Sequence, residues 1–213
     1  MDPDRLAEIF RAEGAGVEVE SVCRAERVAR KLLHDAVTEG QVGTEPEVWK
    51  GYFLRLFRES GVSEEALEGV GRRVRDVHAR EHLWTRVEEG TGEALEELAG
   101  AGYRLGVISN ADGRVEDVLE QVGLRHHFEF VVDSEVVGVE KPDPAIFHEG
   151  CRRLDLDPGR CLYVGDLYPV DYLGARSAGL DAVLLDPSGY HRERAPGIVR
   201  LGDLRAFLAS PRG

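Results

Sequence analysis

Over the first 85 residues the apolar positions recur at helical spacing only. Leu6, Ile9 and Phe10 make one face, closed by Gly14 and Gly16. Val22, Ala25, Ala29, Leu32, Leu33 and Ala36 make a longer one, after which Gly40, Gly43 and Pro46 break the chain. Trp49, Phe53, Leu56 and Phe57 mark a third face, stopped by Gly61. Ala66, Leu67, Val70, Val74 and Val77 mark a fourth, with Ser63 placed to cap it. Four amphipathic helices on short glycine-containing turns predict a small all-helical bundle over residues 1–85.

From about residue 91 helices alternate with short apolar runs. A helix over 92–100 leads through Gly100 and Gly102 into a strand over 103–108. A helix near 112–122 ends at Gly123, and a strand over 128–132 follows. Asp143 and Pro144 open the next helix, a cap followed by the proline favoured at the first helical position. A strand over 161–164, a helix over 171–178 and a strand over 182–185 complete the pattern. Such alternation predicts an α/β domain over 86–213 with a doubly wound parallel sheet. Ligands of such sheets bind at the carboxyl ends of the strands.

Composition narrows the function classes. At 213 residues and 42% apolar, the chain can bury a core, as one large domain or a core with a moderate insertion. Its formal charge of −13, with no long basic run, repels nucleic acid and anionic membrane surfaces, so neither is an expected partner. The acidity itself reads as solvated helix faces. Cys23, Cys151 and Cys161 are odd in number and lack metal-like spacing, which suits small core hydrophobes in a reducing cytosol. No stretch approaches the length of about 18 apolar residues that would suggest a membrane span, and Met1–Arg5 lacks the features of a leader, so a soluble, cytoplasmic protein is expected.

Three groups of residues at or after strand ends carry candidate chemistry. Ser109-Asn110 follows the run 105–108; its hydroxyl and backbone N–H suit a phosphate oxygen, or simply start a turn. Lys141, among only three lysines (31, 50 and 141), is held by Pro142 just before a helix. Its ammonium could neutralise an anionic substrate and a nearby carboxylate, or be a solvated loop lysine. In Gly165-Asp166-Leu167-Tyr168-Pro169-Val170-Asp171, Asp166 ends a strand and Asp171 starts a helix. Two hard carboxylates there suit a magnesium ion, or are a turn former and an N-cap.

Taken in order, Ser109-Asn110, Lys141-Pro142 and Gly165-Asp166 with Asp171 resemble motifs two, three and four of haloacid-dehalogenase-like (HAD) hydrolases. The resemblance covers nearly the whole chain, since the helical first part is similar to that family's four-helix cap. It implies a Rossmann-like core with an all-helical cap and a magnesium-dependent hydrolysis of a small phosphorylated metabolite. Ser109 and the Asn110 backbone would hold phosphate, Lys141 would clamp nucleophile and phosphate, Asp166 would bind magnesium, and Asp171 would complete or orient the metal shell. A 2-haloacid dehalogenase is the rival within the family, but those enzymes use no metal and generally lack an acid where Asp166 stands. A non-catalytic binding protein is the rival outside it.

The family's motif one is a strand ending in Asp-x-Asp, whose first Asp attacks phosphorus and whose second acts as general acid and then base. No apolar strand here ends that way. Asp2-Pro3-Asp4 copies the spacing but is expected to cap the first helix. The resemblance places the family's first strand immediately before Met1, through a misplaced start, a truncation or true loss of catalysis. Without it, the strands 103–108 and 161–164 are expected either to pair directly or to leave a filled slot, with direct pairing favoured. His78 and His82 are expected to face solvent, His126-His127 to form a surface turn, Trp49 and Phe53 to pack in the cap, and Tyr168 to lie near the site.

Overall fold

The computed structural model describes residues 1–38 and 46–210, which divide into two compact units, Met1–Arg86 and Val87–Gly213.

The first unit is four helices: α1 (Pro3–Ala12), α2 (Val19–Thr38), α3 (Pro46–Ser60) and α4 (Leu67–Glu81). Leu6, Phe10, Val22, Leu56, Val70 and Leu83 are its largest fully buried side chains, and the Phe10 ring meets Phe57 edge-on at 5.4 Å. The Asp2 carboxylate caps α1 by accepting the N–H groups of Asp4 and Arg5, at 3.0 and 3.1 Å. Its own N–H donates to the Leu83 carbonyl at 2.8 Å, tying the first residues to the end of the unit. Gly40 and Gly43 lie outside the described residues, and Pro46 opens α3 rather than breaking the chain. Ser63 does not cap the fourth helix: the Ala66 N–H first closes a turn on the Ser63 carbonyl, and α4 begins at Leu67. His78 and His82, expected in solvent, are half-buried; their Nδ1 atoms accept the N–H groups of Leu83 and Trp84, at 3.2 and 3.3 Å. They pack with Trp49, Phe53 and Trp84 in an aromatic cluster.

The second unit is the α/β domain. Its elements are α5 (Thr91–Gly100), β1 (Gly106–Ser109), α6 (Val115–Gln121), β2 (Phe130–Asp133), α7 (Ser134–Val137), α8 (Pro144–Leu154), β3 (Leu162–Gly165), α9 (Leu173–Ser177), β4 (Asp181–Leu185), β5 (Gly197–Ile198) and α10 (Leu204–Ala209). β1 pairs with β2 in parallel, and β3, β4 and β5 form a second parallel group in that order. Alternation along the strands sends Tyr163 and Ala182 to one face, onto Ile146, Phe147, Cys151 and Ala175 of α8 and α9. Leu162, Val164 and Val183 go to the other, onto Leu98 and Leu204 of α5 and α10. Helices on both faces make the sheet doubly wound. Cys151 of α8 and Cys161 just before β3 meet on the first face, where burial and then the neighbouring Cys161 thiol push the Cys151 thiol up to about 12.

β1 and β3 do not pair with one another, which corrects the favoured expectation of closure. Closure was expected because unpaired backbone groups are costly in a dry interior. These strands are not dry: all of β3 and the last three residues of β1 are half-buried, with Gly106 exposed, whereas β2 and β4 are mostly buried. Water can therefore satisfy their free edges. The strand expected from residue 103 starts only at Gly106, since the ladder to β2 begins with Glu129 N–H on the Leu105 carbonyl, at 2.8 Å.

Gly106 is required by its partner strand. A Cβ there would meet the Phe130 ring at 2.1 Å, and that ring is buried in the core. Gly106→Ala is expected to cost about 1–3 kcal/mol through overpacking. Urea unfolding should show the loss as a lower midpoint, whereas an unchanged midpoint would mean that Phe130 can yield.

Candidate active site

β1 and β3 deliver their last residues, Ser109 and Gly165, to the carboxyl end of the sheet, and the loop carrying Lys141 joins them there. The Asn110 side chain grips that loop as a strand would. Its Oδ1 accepts the Lys141 N–H at 2.7 Å and its Nδ2 donates to the Lys141 carbonyl at 2.9 Å. The Lys141–Pro142 peptide is cis, and Asp143 then caps α8 by accepting the Ala145 N–H at 2.8 Å.

Lys141 is not a solvated loop lysine. It is 9% exposed, and its Nζ donates to Asp171 Oδ1 at 2.7 Å and to the Tyr163 hydroxyl at 2.9 Å. Burial works against its charge, but Asp171 and Tyr163 outweigh it and hold the ammonium well above the ordinary lysine range. Burial also pushes the Tyr163 phenol up, so that it stays neutral.

Asp171, expected to complete or orient the metal shell, is 3% exposed and fully engaged. Oδ1 takes Lys141 and lies 3.4 Å from the Tyr163 hydroxyl, while Oδ2 accepts the N–H groups of Asp166 and Leu167 at 3.0 and 2.8 Å. Three donors fill most of the about four acceptor positions of a carboxylate, which suits orienting a metal shell better than completing it. Through Oδ2 it shapes the turn from which the half-buried Asp166 leaves β3. Gly165 is required at that turn, since a Cβ would meet the Asp171 carboxyl carbon at 2.4 Å. Asp171 lies in a single π-turn, Tyr168–Tyr172, rather than at the start of a regular α-helix.

The half-buried Ser109 hydroxyl takes no protein partner among the described residues, so it can accept a ligand. Asp133, a residue sequence reasoning missed, supports it from β2. That buried carboxylate accepts the N–H groups of Gly113, Val115 and Glu135, while the Ser134 hydroxyl accepts the Ala111 N–H at 3.0 Å. The Asp at the end of the run Phe130–Asp133 was the available signal. Tyr168 stacks between Tyr172 and the buried His191, at 5.6 and 5.1 Å. Asp186 anchors the His191 loop: burial raises its pKa, but the N–H groups of His191 and Tyr190 and the Ser188 hydroxyl hold it below the usual carboxylate range.

A resident magnesium ion fits these residues in its minimal form. Magnesium takes one or two carboxylates and completes its octahedron with water and substrate oxygens. Asp166, half-buried where β3 ends, is the carboxylate that would serve as such a ligand.

The profile of the haloacid dehalogenase-like hydrolases matches residues 5–179. Mouse (Mus musculus) haloacid dehalogenase-like hydrolase domain-containing protein 3 is 37% identical over 186 residues, 85% of this chain and 74% of its own length. The glyceraldehyde 3-phosphate phosphatase of Methanothermobacter thermautotrophicus is 41% identical over 105 residues, 49% of this chain and 46% of its own. Among solved structures, a magnesium-bound HAD-hydrolase of Bacillus subtilis shares the fold at a TM-score of 0.70 and 21% identity, over 96% of this chain and 90% of that one. A 2-haloacid dehalogenase of Pseudomonas syringae aligns at a TM-score of 0.55 and 27% identity, over 87% and 91%.

The Lys141–Asp171 pair makes a testable claim on stability. Asp171→Asn leaves a buried ammonium without its counter-charge, expected to cost about 3–5 kcal/mol in urea unfolding at neutral pH. Lys141→Met in the same chain should recover much of that loss. The Lys141 pKa is raised on folding, so the pair's contribution is complete below the ordinary lysine value and fades only as pH climbs through the higher folded one. A cost below about 1 kcal/mol for Asp171→Asn would mean that solvent reaches the pair.

Proposed function

The chain belongs to the haloacid dehalogenase-like hydrolases, and on that premise we propose that its site serves the magnesium-dependent hydrolysis of a small phosphomonoester. The observation that carries the reading is the Lys141 ammonium, buried and aimed by Asp171 and Tyr163 at the sheet edge where Asp166 and Ser109 emerge. Such an arrangement works by positioning and charge neutralisation, the main demands of phosphoryl transfer. Ser109 would donate to a non-bridging oxygen, with the Asn110 backbone beside it. Lys141 would give its remaining N–H to the phosphate, and Asp166 would hold the metal while Asp171 orients both. Magnesium, when bound, neutralises phosphate charge and polarises the phosphoryl oxygens.

Charge balance supports a metal requirement. Lys141 and Asp171 already neutralise one another, so the Asp166 charge at the end of β3 would repel a phosphate dianion until a divalent cation joined it. The same acid at position 166 speaks against a 2-haloacid dehalogenase, whose displacement at carbon needs no metal. The covalent step requires a carboxylate nucleophile, and none of the five strands among the described residues ends in Asp-x-Asp. Asp2 is engaged as the cap of α1. In this reading Ser109, Lys141 and Asp166 bind and neutralise, and none of them attacks phosphorus.

Calorimetry should detect magnesium binding that Asp166→Asn weakens at least about tenfold, the scale of losing one charged ligand group. Inorganic phosphate should bind only with magnesium present. The 213-residue chain should show no metal-dependent phosphatase turnover above background. Fusing an apolar strand ending in Asp-x-Asp before Met1 should create turnover that Lys141→Ala and Asp166→Asn each abolish. Turnover by the unfused chain that disappears with Asp2→Asn would instead make the amino-terminal pair catalytic. Neither magnesium nor phosphate binding would favour a non-catalytic protein.

A further inference from the structure

Tyr163 is given no part in holding metal or phosphate, yet its hydroxyl reaches Lys141, Asp171 and the carbonyl that precedes Ser109. Its ring stands edge-on to Phe147 at 5.0 Å, packed on α8, which fixes where the hydroxyl sits. That hydroxyl lies 2.9 Å from Lys141 Nζ, 3.0 Å from the Ile108 carbonyl and 3.4 Å from Asp171 Oδ1. Donor bookkeeping settles the direction of each bond. An ammonium only donates, so the phenol oxygen accepts from Lys141. Its single hydrogen then goes to the nearer acceptor, the carbonyl of Ile108, the residue before Ser109.

We infer that Tyr163 is a positioning residue that fixes the direction of the Lys141 ammonium and links it through the Ile108 carbonyl to the Ser109 end of β1. The inference rests on the reading of Lys141 and Ser109 as phosphate-binding groups, and it adds the part that holds them in register. Of the three Nζ hydrogens, one goes to Asp171 and one to Tyr163, which leaves one for an incoming oxygen. With Asp171 alone the ammonium could rotate about a single contact. The phenol provides the second point and so defines the third direction. β1 and β3 share no ladder, so this side chain is also a direct bond from β3 to the β1 backbone.

The chain's lysines make the test direct. Only Lys31, Lys50 and Lys141 occur, and Lys31 and Lys50 are exposed, so a chain labelled with ¹⁵N-lysine should show one slowly exchanging ammonium resonance at neutral pH. Lys141→Ala should remove it. Tyr163→Phe keeps the ring that packs on Phe147 but removes the hydroxyl. Its Lys141 ammonium hydrogens should exchange about tenfold faster, the factor expected for losing one hydrogen bond to a charged group. Backbone amide spectra would confirm that the fold is intact. An unchanged exchange rate in Tyr163→Phe, or no protected ammonium in the parent chain, overturns the proposal. If the phenylalanine chain fails to fold, a nuclear Overhauser contact between the Lys141 ammonium and the Tyr163 hydroxyl proton in the parent chain decides instead, its absence counting against. A titration with inorganic phosphate and magnesium separates the two ideas. Phosphate should move the Lys141 resonance, and Tyr163→Phe should weaken phosphate about tenfold while leaving magnesium affinity unchanged. No movement of the resonance in the parent chain sinks the phosphate reading by itself, and equal phosphate affinity in the two chains sinks the positioning role.

Discussion

A buried ammonium needs a buried counter-charge, and much of the sheet edge is arranged to meet that one requirement. Lys141 and Asp171 come from loops 30 residues apart in the chain and meet at 2.7 Å with almost no solvent. Two charges taken out of water are stable together only if their remaining donors and acceptors are also satisfied. Tyr163 and the N–H groups of Asp166 and Leu167 satisfy Asp171 and part of Lys141, while the Asn110 side chain clamps the lysine's backbone. Asn110 follows β1, whereas Tyr163, Asp166 and Leu167 belong to β3 and the turn after it. One ion pair therefore draws the ends of β1 and β3 and the turn before α8 to a common point.

The gap in strand pairing looks different once solvent is considered. Backbone groups that no strand satisfies are costly only where water is excluded. β1 and β3 are the more exposed strands here, the reverse of the order expected when the middle of a doubly wound sheet is the driest part. Solvent can reach their free edges, so those backbone groups need not be stranded. The two groups of strands are still held as one domain, because α8 and α9 pack across both on a shared apolar face. Side chains, rather than ladder hydrogen bonds, carry the connection.

Much of this was legible in the residues. Helical periodicity located all four helices of the first unit, because each buries one stripe. Asp143-Pro144 located the start of α8, because cap and proline both act locally. The alternation of short apolar runs with helices located β1 to β4 within a few residues. What escaped depends on contacts between distant segments. Asn110 reads as half of a turn dipeptide until its amide is seen gripping Lys141, 31 positions away. Tyr163 reads as one more apolar strand residue until its hydroxyl is seen between Lys141 and Ile108. β5 and α10 are too short to leave a periodic signal.

The two acids of the Gly-Asp-x-x-x-x-Asp segment are chemically identical and end with different parts to play, for a reason spacing cannot reveal. A carboxylate's availability to a cation depends on how many of its lone pairs other donors already hold. Asp171 sits in a π-turn with two backbone N–H groups on one oxygen and an ammonium on the other, so most of its lone pairs are already held. Asp166 contributes its N–H to that arrangement from the half-buried end of β3. The turn that Asp171 holds through Oδ2 is the one from which Asp166 leaves β3. Exchanging their roles would require the turn to reverse, and Gly165 has no room for that: even a single added carbon would strike Asp171.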